Sequence, residues 1–212
     1  MTEIEKRGGS LGVETRAVDG KRTLVGYAIV YNSPTIIGDP EWGFEETMAP
    51  GFADEAIRGD VMALHSHDFG RVVGRTKSGT LRLTSDAKGV LAEIDVPDTS
   101  NGNDLWELVE RGDISGMSFS FRATKQEWDD TVTPPRRRVL KAEVYEVSAV
   151  AFPAYADTTL AKRSLEAARA EVEQAKKDAE KRAADAAAAK RRVSEREAVQ
   201  EMRIRGIQQG AT

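Results

Sequence analysis

Three short stretches place polar, reactive side chains where a strand pattern calls for apolar ones. The first is Ala63-Leu64-His65-Ser66-His67-Asp68. His65 and His67 are the only two histidines in the chain, so any imidazole chemistry must use one of them. On a strand over 61–67, Ala63, His65 and His67 share one face. A neutral imidazole at the strand's end can take a proton from a nearby hydroxyl. The same spacing would let His65, His67 and Asp68 approach one metal ion, but with no cysteine and no third histidine the remaining ligands would have to be carboxylates.

The second stretch is Gly112-Asp113-Ile114-Ser115-Gly116-Met117-Ser118-Phe119-Ser120-Phe121. Met117, Phe119 and Phe121 are expected to point into a core, leaving Ser118 and Ser120 on the opposite face with Gly116. A small residue beside a serine leaves room for a substrate backbone. The pattern is not the Gly-x-Ser-x-Gly elbow of the α/β-hydrolases. In the third stretch, Glu143-Val144-Tyr145-Glu146-Val147-Ser148-Ala149-Val150, Glu146 and Ser148 interrupt an apolar strand. A carboxylate there must be paired or hydrogen-bonded. It could hold an imidazole in one tautomer, or it could pair with Arg75 or Arg122. The residues alone leave both readings open, along with ordinary structural roles for the histidines and serines.

Strands must carry these groups. Asp19-Gly20 is a hairpin signal between strands over Glu14–Val18 and Thr23–Tyr31. Further strands are expected over Phe44–Met48, Val61–His67, Val72–Arg75, Leu81–Ser85, Val90–Val96, Ile114–Ala123 and Val139–Phe152. The last is apolar on both faces, as a central strand would be. Phe52–Arg58 reads as a one- or two-turn helix. Thr99 or Ser100 should cap a second helix over Asn103–Arg111, stopped by Gly112. Many strands at short intervals with few helices predict a mainly β fold with α, closed or nearly closed into a small barrel.

Composition breaks sharply near Asp157. The domain reading is a β domain over 10–156 and an Ala/Glu/Lys/Arg-rich helical tail over 157–212. The tail's bulky apolar residues are too sparse for a sustained heptad. Arg136-Arg137-Arg138 and Lys190-Arg191-Arg192 read as solvated basic runs. With a formal net charge of -4, the chain does not read as a dedicated nucleic-acid or membrane-surface binder. Met1 to Gly9 lacks the apolar core of a signal peptide, and the absence of cysteine fits an intracellular setting.

From Gly26 to Tyr155 the chain resembles the phage prohead protease family found with HK97-type capsids. The likeness lies in Gly26-Tyr27-Ala28; in Phe44-Glu45-Glu46-Thr47-Met48-Ala49-Pro50-Gly51; in His67-Asp68 followed by Val73-Gly74-Arg75-Thr76; in Gly112 to Phe119; and in Glu146-Val147-Ser148-Ala149-Val150 leading to Pro153-Ala154. The resemblance implies a serine endopeptidase on a small β-barrel flanked by helices, as in the herpesvirus assembly proteases. It implies cleavage of the scaffold, or of the scaffolding segment of the major capsid protein, and of the enzyme itself. The setting implied is the assembling prohead in the host cytoplasm, with self-association as a further expected contact and with no cofactor, nucleic acid or membrane. The family's histidine precedes Asp, which selects His67; its serine lies in a Met-Ser-Phe step, which selects Ser118. Glu146 is the expected third member, with Ser148 or His65 as alternatives. Oxyanion donors are expected from backbone N–H groups, with the loop carrying Arg75 as a candidate source. The other reading of the chain is a non-catalytic assembly or scaffold protein working through its tail.

Overall fold

A computed structural model describes residues 4–9, 12–18, 20–38, 43–152, 166, 169–170 and 173–188. The chain falls into two compact units, 1–165 and 166–212. In the second, residues 173–188 are helical and their side chains are exposed. Residues 166 and 169–170 are helical and exposed as well, and the remaining residues of the expected tail, with Lys190-Arg191-Arg192, lie outside the described residues.

The first unit is built on two sheets. The four-stranded sheet runs β2 (Val13–Val18), β3 (Lys21–Val30), β9 (Gly89–Asp95), β8 (Leu81–Ser85), with every neighbouring pair antiparallel. The turn between β2 and β3 holds Gly20 at φ 76°, a left-handed conformation that glycine adopts without steric cost. Gly89 is needed for a different reason. A Cβ there would sit 2.0 Å from the carbonyl oxygen of Ile29 on the adjoining β3.

The seven-stranded sheet is organised around a long hairpin of β10 (Gly116–Asp129) and β11 (Arg136–Val150). On its other side β11 pairs in parallel with β5 (Phe44–Met48) near its start and with β6 (Met62–His65) near its end. Hydrogen-bonded neighbours on both sides make β11 a central strand, but only Glu146–Val150 is buried at every position, the residues before it running largely in alternation between exposed and buried. β4 (Thr35–Ile37) extends from β5, and β7 (Asp68–Arg75) from β6. A strand with no apolar pattern, β1 (Glu5–Gly9), lies antiparallel on the free side of β10.

The expected closed barrel is not formed: the fold is mainly β, but its sheets remain open. The outer strands carry charge where a barrel would need a paired edge. Glu14 and Arg16 on β2 are exposed, as is Arg82 on β8, which turns to Asp95 at 2.8 Å. Charged edge strands resist further pairing. The core lies behind β10, where Phe52 packs against Phe119 and Phe121 with ring centroids 6.2 and 6.4 Å away. The helix α1 (Ser100–Glu110) contributes Leu105, Trp106 and Val109, and Thr99 caps it by accepting from the Gly102 N–H.

Four local expectations change. Phe52–Arg58 forms turns and only a short 3₁₀ segment at Ala56–Arg58. The expected strand 61–67 stops at His65, because Ser66 and His67 both take positive φ, 54° and 59°. Strand β7 begins earlier than expected, at Asp68. Arg136–Arg138 is not a solvated run: it is the start of β11, so the outer two arginines are exposed while Arg137 is buried, at 1%.

Candidate active site

Strand phase on β10 separates Met117, Phe119 and Phe121 from Ser118 and Ser120, as expected. The serine face is not open to solvent: Ser118 is 0% exposed. Register then fixes its neighbours. Ser118 stands opposite Ser148 on β11, and Ser120 opposite Glu146. Side chains opposite one another across a ladder share a face. One patch of the sheet therefore carries Ser118, Ser120, Glu146 and Ser148.

His67 reaches this patch through the turn after β6. His65 pairs with Ala149 of β11, and the Ser66 N–H donates to the Ala149 carbonyl at 3.0 Å. Two successive left-handed residues then reverse the chain into β7. Paired positive φ values are those of a tight hairpin turn, and non-glycine residues there carry a steric cost. The His67 N–H donates to Ser148 Oγ at 3.1 Å, which anchors the residue over β11.

Three side chains line up as a result. His67 Nε2 lies 2.9 Å from Ser118 Oγ, and His67 Nδ1 lies 2.7 Å from Glu146 Oε1. Glu146 is 0% exposed, yet its carboxylate is fully engaged. Oε1 also accepts from Ser120 Oγ, and Oε2 accepts from Ser148 Oγ at 2.5 Å. Burial, the largest influence, pushes the Glu146 pKa up. The hydrogen bonds from His67, Ser120 and Ser148, with the His67 charge, outweigh it, so the group is held below its ordinary value of 4.5.

The other expected participants are engaged elsewhere. His65 turns to Asn101 on α1, with Nδ1 3.1 Å from Oδ1. Arg75 sits at the far end of the β6–β7 hairpin, opposite Met62, and its guanidinium grips Asp60 at 2.5 and 2.7 Å. Arg122 pairs with Glu143, so neither arginine meets Glu146. Among the described residues, no group of three or more His, Asp or Glu side chains converges as a metal site would require.

Two contacts had no counterpart in the sequence reading. Ser148 links the His67 backbone to the Glu146 carboxylate. The hydroxyl of Ser118 also lies 2.8 Å from the carbonyl oxygen of Arg7 on β1. The signal for the second was electrostatic: Glu5 and Arg7 alternate on β1, and Glu46 and Arg137 hold the matching charges.

A serine hydroxyl, an imidazole and a buried carboxylate in series form the apparatus of a serine hydrolase. The comparison with protein families names the class more narrowly. The model of the caudovirus prohead serine proteases matches residues 11–173 of the 212 in the chain. The chain belongs to that family and is a serine protease. No curated protein and no solved structure matches it. Among the described residues, no helix is long and apolar enough to cross a membrane.

Proposed function

We propose that the protein cuts peptide bonds during capsid maturation with Ser118 as nucleophile, His67 as general base and Glu146 as the carboxylate that orients His67. The observation that carries this reading is the line from Ser118 Oγ through His67 to Glu146, with steps of 2.9 and 2.7 Å. His67 takes the Ser118 proton as Oγ attacks the scissile carbonyl carbon, and the carbon–nitrogen bond breaks as His67 returns that proton to the leaving amine. Water, activated by the same imidazole, then hydrolyses the acyl-enzyme. Glu146 keeps Nδ1–H fixed and stabilises the imidazolium. Backbone N–H groups beside the scissile carbonyl supply the oxyanion donors.

The substrates in this reading are the scaffold protein, or the scaffolding segment of the major capsid protein, and the enzyme itself. The place of action is the assembling prohead in the host cytoplasm. Residues 10–156 form the protease domain with β1 laid against it, and the tail over 157–212 delivers the enzyme into the prohead or is trimmed there. Family membership supports the capsid context. Mass spectrometry of the wild-type chain and Ser118→Ala, each co-expressed with the capsid protein, tests the assignment. Cut capsid protein with the wild type alone is the expected result. Equal cleavage in both would overturn it.

A further inference from the structure

β1 covers the edge of β10 that carries Ser118. It pairs antiparallel with residues 117–121 of β10, and Gly8 stands opposite Ser118. Adding an extended peptide to a sheet edge is a common way to bind one, with alternate side chains entering pockets. The Arg7 carbonyl oxygen is the atom that meets Ser118 Oγ, at 2.8 Å. Gly8, directly opposite the serine, puts no side chain on the catalytic face. Lys6, on that same face, is exposed, whereas Glu5 and Arg7 turn to the other face and are buried.

Those two buried side chains are read by charge. Arg7 donates to Glu46 through Nε and Nη2, at 2.5 and 3.1 Å. Glu5 receives two bonds from Arg137, at 2.6 and 2.7 Å. Arg137 also reaches Glu46 at 2.7 Å, so the two reading groups are fixed against each other. Both come from the body of the sheet, Glu46 from β5 and Arg137 from β11. A peptide replacing β1 in the same register would meet them with the same two side chains.

The contact with Ser118 also explains why the resident strand rests there. A hydroxyl has one proton to give. While Ser118 donates to Arg7 O, it does not donate to His67 Nε2, and the serine is not activated. A substrate carbonyl has to turn its oxygen away from Oγ and present its carbon.

We infer that, given the protease reading above, the β10 edge is the substrate-strand site, β1 is its resident occupant, and Glu46 with Arg137 selects peptides. The preferred peptide carries an acidic residue two positions before a basic one and is cut after the basic residue, as the order Glu5-Lys6-Arg7-Gly8 displays.

The test uses the full chain, wild type and Arg7→Ala, with two quenched fluorescent decapeptides. One contains Glu-Lys-Arg-Gly-Gly and the other Gln-Lys-Gln-Gly-Gly. Labelling of Ser118 by a fluorophosphonate reports catalytic competence independently of the peptide. At least tenfold higher kcat/KM for the charged peptide, with the cut after Arg by mass spectrometry, is the expected result. Arg7→Ala, which loosens the resident strand, should lower KM for that peptide. Glu46→Gln should remove most of the preference. Exchanging the pair, Glu46→Arg with Arg137→Glu, should shift it toward Arg-Lys-Glu-Gly-Gly, so the test survives if one variant does not fold. A labelled enzyme that cuts both peptides equally, cuts elsewhere or cuts neither overturns this inference and leaves the protease reading standing. If neither the wild type nor Arg7→Ala labels or cuts, both readings are overturned.

Discussion

The Glu146 carboxylate meets His67 Nδ1 at 2.7 Å from a position with no solvent exposure, and Ser120 and Ser148 each donate a further hydrogen bond to it, one to each oxygen. An ion in such a place is tolerable only when its lone pairs are occupied. The two serines thus keep the carboxylate ionised and aimed, and His67 receives a fixed partner.

That division of labour predicts graded losses. Glu146→Gln keeps the shape but removes the charge opposite the imidazolium, so kcat should fall by about 10³- to 10⁴-fold with little change in KM. Ser148→Ala removes one donor to Glu146 and the anchor of the His67 N–H, and should cost about tenfold to a hundredfold. Steady-state kinetics on one peptide across the two variants and the wild type gives the order. Equal losses, or a loss confined to KM, would contradict it.

A second expectation concerns acid. Glu146 and Glu5 are both held below their ordinary value of 4.5. For Glu5, burial is the largest influence and opposes the shift, but the hydrogen bonds and charges of Arg137 and Arg7 outweigh it. A carboxylate with a depressed folded-state pKa stabilises the fold above its unfolded-state pKa, and that contribution is lost as pH falls through the folded-state value. The Tm of the wild type should therefore fall below about pH 4.5 more steeply than that of Glu146→Gln, and the gap between them should narrow. Thermal unfolding followed by circular dichroism from pH 7 to pH 3 measures it. A gap that is constant across that range would count against the assignment.

Much of this arrangement is legible in the sequence because β geometry is periodic. The alternation Met117-Ser118-Phe119-Ser120-Phe121 places the serines on one face, and Glu146 and Ser148 stand out as polar residues in an apolar strand. Two things escape that logic. Ser66 and His67 break the period by taking left-handed φ, so His67 leaves the strand that His65 ends, and the two histidines find different partners. β1 escapes for the opposite reason. Glu5 and Arg7 are buried by pairing with Glu46 and Arg137, which lie far along the chain, so no local apolar pattern announces a strand. The same pairing hides Arg137 inside what reads as a basic run. The open sheets were not legible either: strand count and spacing are alike for an open pair of sheets and a small barrel, and closure depends on which edges meet.

The buried charge cluster makes a stability prediction. Glu5, Arg7, Glu46 and Arg137 are all at most 6% exposed and satisfy one another. Burial, the largest influence, lowers the Arg137 pKa, but the two glutamates outweigh it and hold it above its ordinary value. Removing one member strands its partners, at a cost of about 3–5 kcal/mol. Arg137→Ala should show that loss in denaturant unfolding. Replacement of Arg137 with Met alone should be no better, because Glu46 and Glu5 stay charged. A loss under 1 kcal/mol, about what an exposed ion pair contributes, would mean the cluster is not structural.

The turn that carries His67 gives the sharpest separation of stability from activity. Ser66 is exposed and sits at φ 54°. A left-handed conformation suits glycine and is poorly tolerated by a β-branched residue. Ser66→Gly relieves that conformational cost but also frees the unfolded chain, so its effect on unfolding free energy should stay within about 1 kcal/mol. Ser66→Val should destabilise by more than about 1 kcal/mol and, because φ at position 66 sets where the next residue points, should lower kcat by tenfold or more. The side chain at position 66 faces solvent, so neither variant removes a packed group, and any loss of activity reports backbone placement of the imidazole. Denaturant unfolding and kcat measured on the same preparations make the comparison. If Ser66→Val unfolds and cuts like the wild type, the left-handed turn is not what holds His67 over Ser118.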